Sequence, residues 1–287
     1  MKVKCYFFNQ ILFILVMISF PSVQGQAETI NCTPITSLPY TISTQGVYCL
    51  KENLATSMVE GNAIEIATNN VVLDLNGFKL GGLGAGPGTW ATGIYADQRQ
   101  NIVIRNGTVR GFFHGIFLGD YGSMTTSQGH LIEDVRADMN TSVGIWVRGQ
   151  GNIIRNNQIV GTGGSSVSTD FSCGITVEGP GNRVINNDVY ETKEQGNGPS
   201  GALGIIVNWG KSSVVENNRV GNQDLGTLET YGIFIDNSSD NTFVVNNRIT
   251  TMTYGIFYYF GTGKYRDNMT RNVTTPFSNG TDAGNNN

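Results

Sequence analysis

The side chains able to do chemistry fall in two places. The first is a set of inserts, residues 119–129, 161–173, 190–203 and 221–231, which carry Asp170, Glu191, Lys193, Glu194, Asp224 and Glu229. Paired acids suit glycoside hydrolysis, where one protonates the leaving oxygen and the other activates water or attacks, and they also suit calcium. The alternative is that they only solubilise the loops. The second place is set by a dipeptide, Gly-Ile, that recurs at Gly93, Gly115, Gly144, Gly174, Gly204, Gly232 and Gly255. The residue after each Ile gives a column, Tyr95, Phe117, Trp146, Thr176, Ile206, Phe234 and Phe257. Two residues further on stand Asp97, Gly119, Arg148, Glu178, Asn208, Asp236 and Tyr259. An aromatic stripe on a rigid sheet suits the apolar faces of sugar rings. Arg148, Glu178 and Asp236 beside it can bond hydroxyls or neutralise a uronate. The competing reading is that loops fold over the stripe as a second core, since so large an apolar patch is unusual when bare. Arg148 and Glu178, on neighbouring repeats, equally suit a surface salt bridge.

Eliminative cleavage of a uronate polymer needs a cation at the carboxylate and a base for the neighbouring proton. Arg148 with Lys193 is the pair the sequence offers. His114 and His130 are the two histidines. His114 is a weak acid–base candidate, and neither has partners at metal-ligand spacing. No metal or other cofactor is expected. Calcium is chemically possible, but no motif supports it: the glycine-rich run at 81–89 lacks the aspartates of calcium-binding nonapeptides.

These columns exist only if the chain stacks. Each Gly-Ile begins a short β-type block, and a second block follows with asparagines at its end, as in IIRNNQI from Ile153, RVINNDV from Arg183, VVENNRV from Val214 and FVVNNRI from Phe243. A period of 20 to 30 residues with no helical periodicity marks a solenoid. Period-two alternation turns Ile94, Ile116, Ile145, Ile175, Ile205, Ile233 and Ile256 inward, with Ala96, Leu118, Val147, Val177, Val207, Ile235 and Tyr258 beside them. A polar column, Asn106, Asp134, Asn157, Asn187, Asn218, Asn247 and Asn268, suits amides bonded from coil to coil. The fold class is therefore all-β, a single-stranded right-handed parallel β-helix of roughly eight coils, about 40 Å long at the ordinary strand spacing.

The chain has 287 residues, 18 Lys+Arg against 22 Asp+Glu, and no basic cluster, so nucleic acid is not an expected partner. Residues 1–27 read as a signal peptide, with Lys2 and Lys4 before an apolar run too short to span a bilayer; no membrane span is expected. Residues 28–62 read as an N-terminal cap closed by a Cys32–Cys49 disulfide, 63–270 as the β-helix and 271–287 as a C-terminal tail. Cys173 reads as a structural thiol. A secreted or periplasmic location follows.

The Gly-Ile and Asn-Asn coils, with the opening LDLNGF block at Leu73 to Phe78, resemble the right-handed parallel β-helix superfamily typified by pectate lyases, more closely its short, secreted, bacterial-looking members. The resemblance implies the fold and polysaccharide as partner. It does not imply one activity, because the superfamily includes lyases, hydrolases, epimerases, tailspikes and binding proteins. The three-aspartate cluster of polygalacturonase-like hydrolases, the Asp-Pro-His motif of uronan epimerases and the calcium-binding acid set of pectate lyases are missing from the sequence. The expected function is polysaccharide engagement, as a lyase or glycoside hydrolase or as a non-catalytic carbohydrate-binding or surface-interaction module.

Overall fold

The computed structural model describes residues 31–287 except Tyr121, Asn197, Pro199, Asn237 and Gly261. The expected signal peptide lies outside the described residues. Among them the chain forms 26 short strands, every pairing parallel, with one 3-10 turn at Leu83–Ala85 and no α-helix. Each coil contributes three strands, such as Ser172–Glu178, Arg183–Ile185 and Asp188–Tyr190, and each strand pairs with its equivalent one coil away. The result is a parallel β-helix with three faces.

The inward ladder runs Tyr40, Ile64, Ile94, Ile116, Ile145, Ile175, Ile205, Ile233, Ile256, Phe277 in unbroken register. Its isoleucines are completely buried, as are Leu118, Val147, Val177 and Val207 two residues on. Each contributes roughly 1.5–3 kcal/mol by leaving water. The ladder reaches past both expected limits of the repeat. Within the segment read as a cap, Gly46–Leu50 pairs with Val71–Asp74, and Cys32–Cys49 is disulfide-bonded with Cα atoms 5.8 Å apart. Within the segment read as a tail, Met269–Ser278 pairs with Arg248–Tyr258 and Thr281–Asp282 with Lys264 and Tyr265. Both segments stack as coils because their apolar residues keep the period of the repeat.

The glycine of Gly-Ile is fixed by contact. A Cβ on Gly93, Gly115, Gly144, Gly174, Gly204 or Gly232 would lie 2.5, 2.5, 2.6, 2.6, 2.7 or 2.7 Å from the carbonyl oxygen of the next glycine in the column. Adjacent coils approach so closely there that only hydrogen fits.

The asparagine column needs one correction. Asn157, Asn187, Asn218, Asn247 and Asn268 point inward and are buried, and Asn286 continues the series. Asn106 and Asp134 stand one residue earlier, with φ of 59° and 53°, at the left-handed position that Asn156, Asn186, Asn217 and Asn246 occupy in later coils. The inward places of their coils belong to Gly107 and Val135, which pair with each other. A second polar ladder uses His130: its Nδ1 accepts from the Ile102 N–H, its own N–H donates to Asn152 Oδ1, and the Asn152 N–H donates to Asn182 Oδ1. His130 thus stands where the next coils carry asparagine. Burial lowers its pKa from 6.5 to about 4.

That depression predicts a pH dependence. Above pH 6.5 His130 is neutral in the folded and unfolded chain. Between 6.5 and 4 the unfolded chain takes up a proton that the folded chain refuses, so stability falls as pH falls through that window. The loss is on the order of 1.4 kcal/mol per pH unit in mid-window. His130→Asn, which copies the next coil, should fold and show a shallower fall in denaturation midpoint between pH 7 and 4.5. An unchanged slope would remove His130 as its source.

Candidate functional site

The Gly-Ile face is only partly open. Phe117 is fully buried, Thr176 and Ile206 nearly so, and Tyr95, Trp146, Phe234 and Phe257 are half-buried. Trp146, Phe234, Tyr254 and Phe257 pack against Val143, Cys173, Leu203, Ile206 and Tyr231 in a second apolar cluster outside the barrel. Tyr95 stacks on Phe117 at 5.5 Å, and Phe234 on Phe257 at 5.4 Å. Most of the stripe is therefore a covered second core. Cys173 sits inside it, and burial raises its thiol to about 12, which suits a structural role.

What stays open is a cleft of about 470 Å³ over the middle coils. Its floor comes from the Gly-Ile strands His114–Gly119, Val143–Arg148, Ser172–Glu178 and Ala202–Asn208, which supply His114, Trp146, Thr176, Glu178 and Asn208. Its rim comes from loops: Trp90, which packs on Phe113 at 4.6 Å, and Ser168, Asp170 and Phe171. Trp90 and Phe171 are 52% and 42% exposed, so two aromatic side chains face solvent at the mouth.

Glu178 is the charged centre of the floor. Arg148 Nε lies 2.6 Å from its Oε2, and the Asn208 amide lies 3.5 Å from its Oε1. This pair is not a surface bridge, for only 16% of the Arg148 side chain and 7% of the Glu178 side chain are exposed. Burial raises the Glu178 pKa, and Arg148 offsets only part of that. His114 packs at a tilt against Phe113 at 4.6 Å and meets the Trp146 ring edge-on at 5.1 Å; burial lowers its pKa to about 4, so it is a neutral imidazole at ordinary pH. Trp146 also hydrogen-bonds Glu178, and Thr176 hydrogen-bonds Cys173, so the polar groups of the floor hold one another in place.

The inserts do stack beside this face: the Lys193 N–H donates to Thr162 O, and the Ser165 N–H to Gln195 Oε1. Their acids do not converge on the cleft. Glu191 accepts from the Gln223 N–H, Glu194 from the Leu228 N–H and Thr227 Oγ1, and Glu229 from the Tyr231 hydroxyl. Glu191 and Glu194 tie loop to loop, Glu229 bonds within its own insert, and of the wall acids only Asp170 lines the cleft. Lys193 lines a separate groove of about 290 Å³ with Glu191, Glu194 and Asp224. The structure therefore does not bring Arg148 and Lys193 together as a lyase pair. Phe234 and Asp236 stand on the following coil, in Thr230–Ile235 and just after it, outside the cleft. Among the described residues no group of three or more His, Cys, Asp or Glu is placed to hold a metal ion. No described helix is long and apolar enough to cross a membrane.

The profile of the right-handed β-helix region matches residues 92–286. No curated protein matches the sequence. Among solved structures, pectate lyase Pel9A is 14% identical and superposes with a TM-score of 0.50 over 84% of this chain and 72% of its own. The periplasmic alginate epimerase AlgG is 12% identical, with a TM-score of 0.48 over 85% of this chain and 69% of its own. The catalytic domain of a GH87 alpha-1,3-glucanase in complex with nigerose is 14% identical, with a TM-score of 0.44 over 88% and 63%. At such identities the likeness is one of fold.

Proposed function

The chain belongs to the right-handed β-helix family, and on that scaffold we propose that it engages a polysaccharide through the cleft of the Gly-Ile face. One observation carries this: a shallow cleft joins aromatic side chains at its mouth and floor to hydroxyl, amide and carboxyl groups. Trp90, Phe171 and Trp146 offer planes to the C–H faces of pyranose rings. Thr176 and Asn208 bring a hydroxyl and an amide to the same floor, groups that suit sugar hydroxyls. The Cys32–Cys49 disulfide supports an oxidising location, secreted or periplasmic. In affinity electrophoresis against a panel of soluble polysaccharides, at least one polymer should retard the protein. Trp146→Ala, leaving the Gly-Ile backbone intact, should weaken that retardation by roughly tenfold or more. Retardation by no polymer would refute the reading.

A catalytic form of the same reading rests on Glu178. A carboxyl on the cleft floor whose pKa burial raises can, in its protonated form, donate its proton to a glycosidic oxygen, while a second carboxyl, Asp170, lines the same cleft to accept a proton from the attacking water. Water then adds across the broken bond, and the proton returns to Glu178. New reducing ends that vanish in Glu178→Gln would establish hydrolysis; binding without them leaves a carbohydrate-binding module.

A further inference from the structure

We infer that the polymer taken by this cleft is uncharged, and that polyuronates are excluded from it. The inference rests on the carbohydrate reading above and names its substrate class. A uronate chain carries one carboxylate per sugar, and each must meet a cation or stay in water. The residues lining the cleft include two carboxyls, Asp170 and Glu178, and no lysine or arginine. Arg148, the cation of the neighbouring coil, is held on Glu178 at 2.6 Å and mostly buried there, so its charge is committed within the fold. Lys193, the cation of the wall, lines the other groove. Asp170 is exposed at the rim, so the charge that an approaching polymer meets first is negative. His114 adds no positive charge, because its imidazole is buried against Phe113 and Trp146.

The polar side chains beside Glu178 on the floor are themselves uncharged: the indole of Trp146, the hydroxyl of Thr176 and the amide of Asn208. Hydroxyl and amide groups match the mixed donor–acceptor character of sugar hydroxyls. None of them carries the positive charge that would offset the desolvation of a carboxylate. Aromatic planes complete a site for neutral rings.

The test compares the intact protein and Trp146→Ala against neutral polymers (mixed-linkage glucan, galactomannan, xylan) and against polygalacturonate and alginate, by affinity electrophoresis and calorimetry. We expect binding to a neutral polymer, weakened by Trp146→Ala, and binding to either uronan weaker by on the order of a hundredfold. Uronan binding of comparable strength that Trp146→Ala abolishes would overturn the substrate class while leaving the polysaccharide reading intact. Binding to none of the five polymers would overturn the polysaccharide reading and the substrate class with it.

Discussion

Gly204→Val should yield a protein with no cooperative unfolding transition, and even Gly204→Ala should lose about 3 kcal/mol. A Cβ at this position would lie 2.3 Å from Val220 Cγ1 and 2.7 Å from the Gly232 carbonyl oxygen. Val220 is a completely buried core residue, and Gly232 belongs to the strand paired with that of Gly204, so neither neighbour can swing aside. Room can come only from parting two coils that share backbone hydrogen bonds. Stacked repeats hold one another through such nearest-neighbour interfaces, so damage at one interface spreads to both sides. The same strand, Ala202–Asn208, places Asn208 against Glu178, so carbohydrate binding should fail with the fold. Gly88→Ala is the control: its Cβ would meet nothing closer than 3.6 Å and its backbone lies outside the left-handed region. Chemical denaturation followed by circular dichroism decides. If Gly204→Ala matched Gly88→Ala in stability, close approach of the coils would not be what holds glycine in the repeat.

That glycine illustrates what the sequence exposes and what it withholds. Periodicity identifies the Ile94-to-Ile256 ladder, because inward residues must be apolar and equally spaced whatever the coil looks like. It also places Gly at the head of each strand, yet the distance between coils, which is the reason for Gly, is a property of the stacked backbone. The outward column behaves likewise. Spacing puts Phe117 and Trp146 on one face, but whether a loop lies over them depends on inserts that carry no period. So Phe117 is covered while Trp146 borders the cleft. The rim residues Trp90 and Phe171 are hidden for the same reason; Trp90 directly follows the glycine-rich run at 81–89, and a tryptophan beside such a run is the available signal. The wall acids leave two readings open in the sequence, chemistry or loop charges. Their clustering suits chemistry, but in a solenoid inserts stack, and Glu191 and Glu194 serve that stacking. Asn106 and Asp134 were misplaced by one residue because a left-handed turn residue and an inward amide sit side by side, and both favour asparagine.

Asn187→Leu and Asn187→Asp separate the inward amide from the turn beside it. Asn187 is 2% exposed. Its Oδ1 accepts from both the N–H and the Nδ2 of Asn157, at 3.0 Å each, while its own Nδ2 donates to Ile154 O at 2.9 Å and to Asn218 Oδ1 at 3.0 Å. Leucine preserves size but leaves the Asn157 N–H and the Ile154 carbonyl buried without partners. At about 1–3 kcal/mol per unsatisfied group, Asn187→Leu should cost roughly 2–6 kcal/mol. Aspartate preserves shape and keeps the acceptor for Asn157, but at neutral pH it directs a second carboxylate oxygen at two acceptors, Ile154 O and Asn218 Oδ1. Burial and those acceptors favour its protonated form, so its pKa in the folded chain rises above the ordinary 3.9. For a group raised on folding, stability is fully present below the unfolded pKa and is lost as pH rises through the folded one. Asn187→Asp should therefore fall further below the parent protein at pH 7 than at pH 4, the opposite trend from that of His130. Urea denaturation of the parent and both variants at the two pH values measures this. Stability of Asn187→Asp within about 1 kcal/mol of the parent at pH 7 would mean that water reaches the ladder, because only solvation could excuse a buried carboxylate from facing two carbonyls.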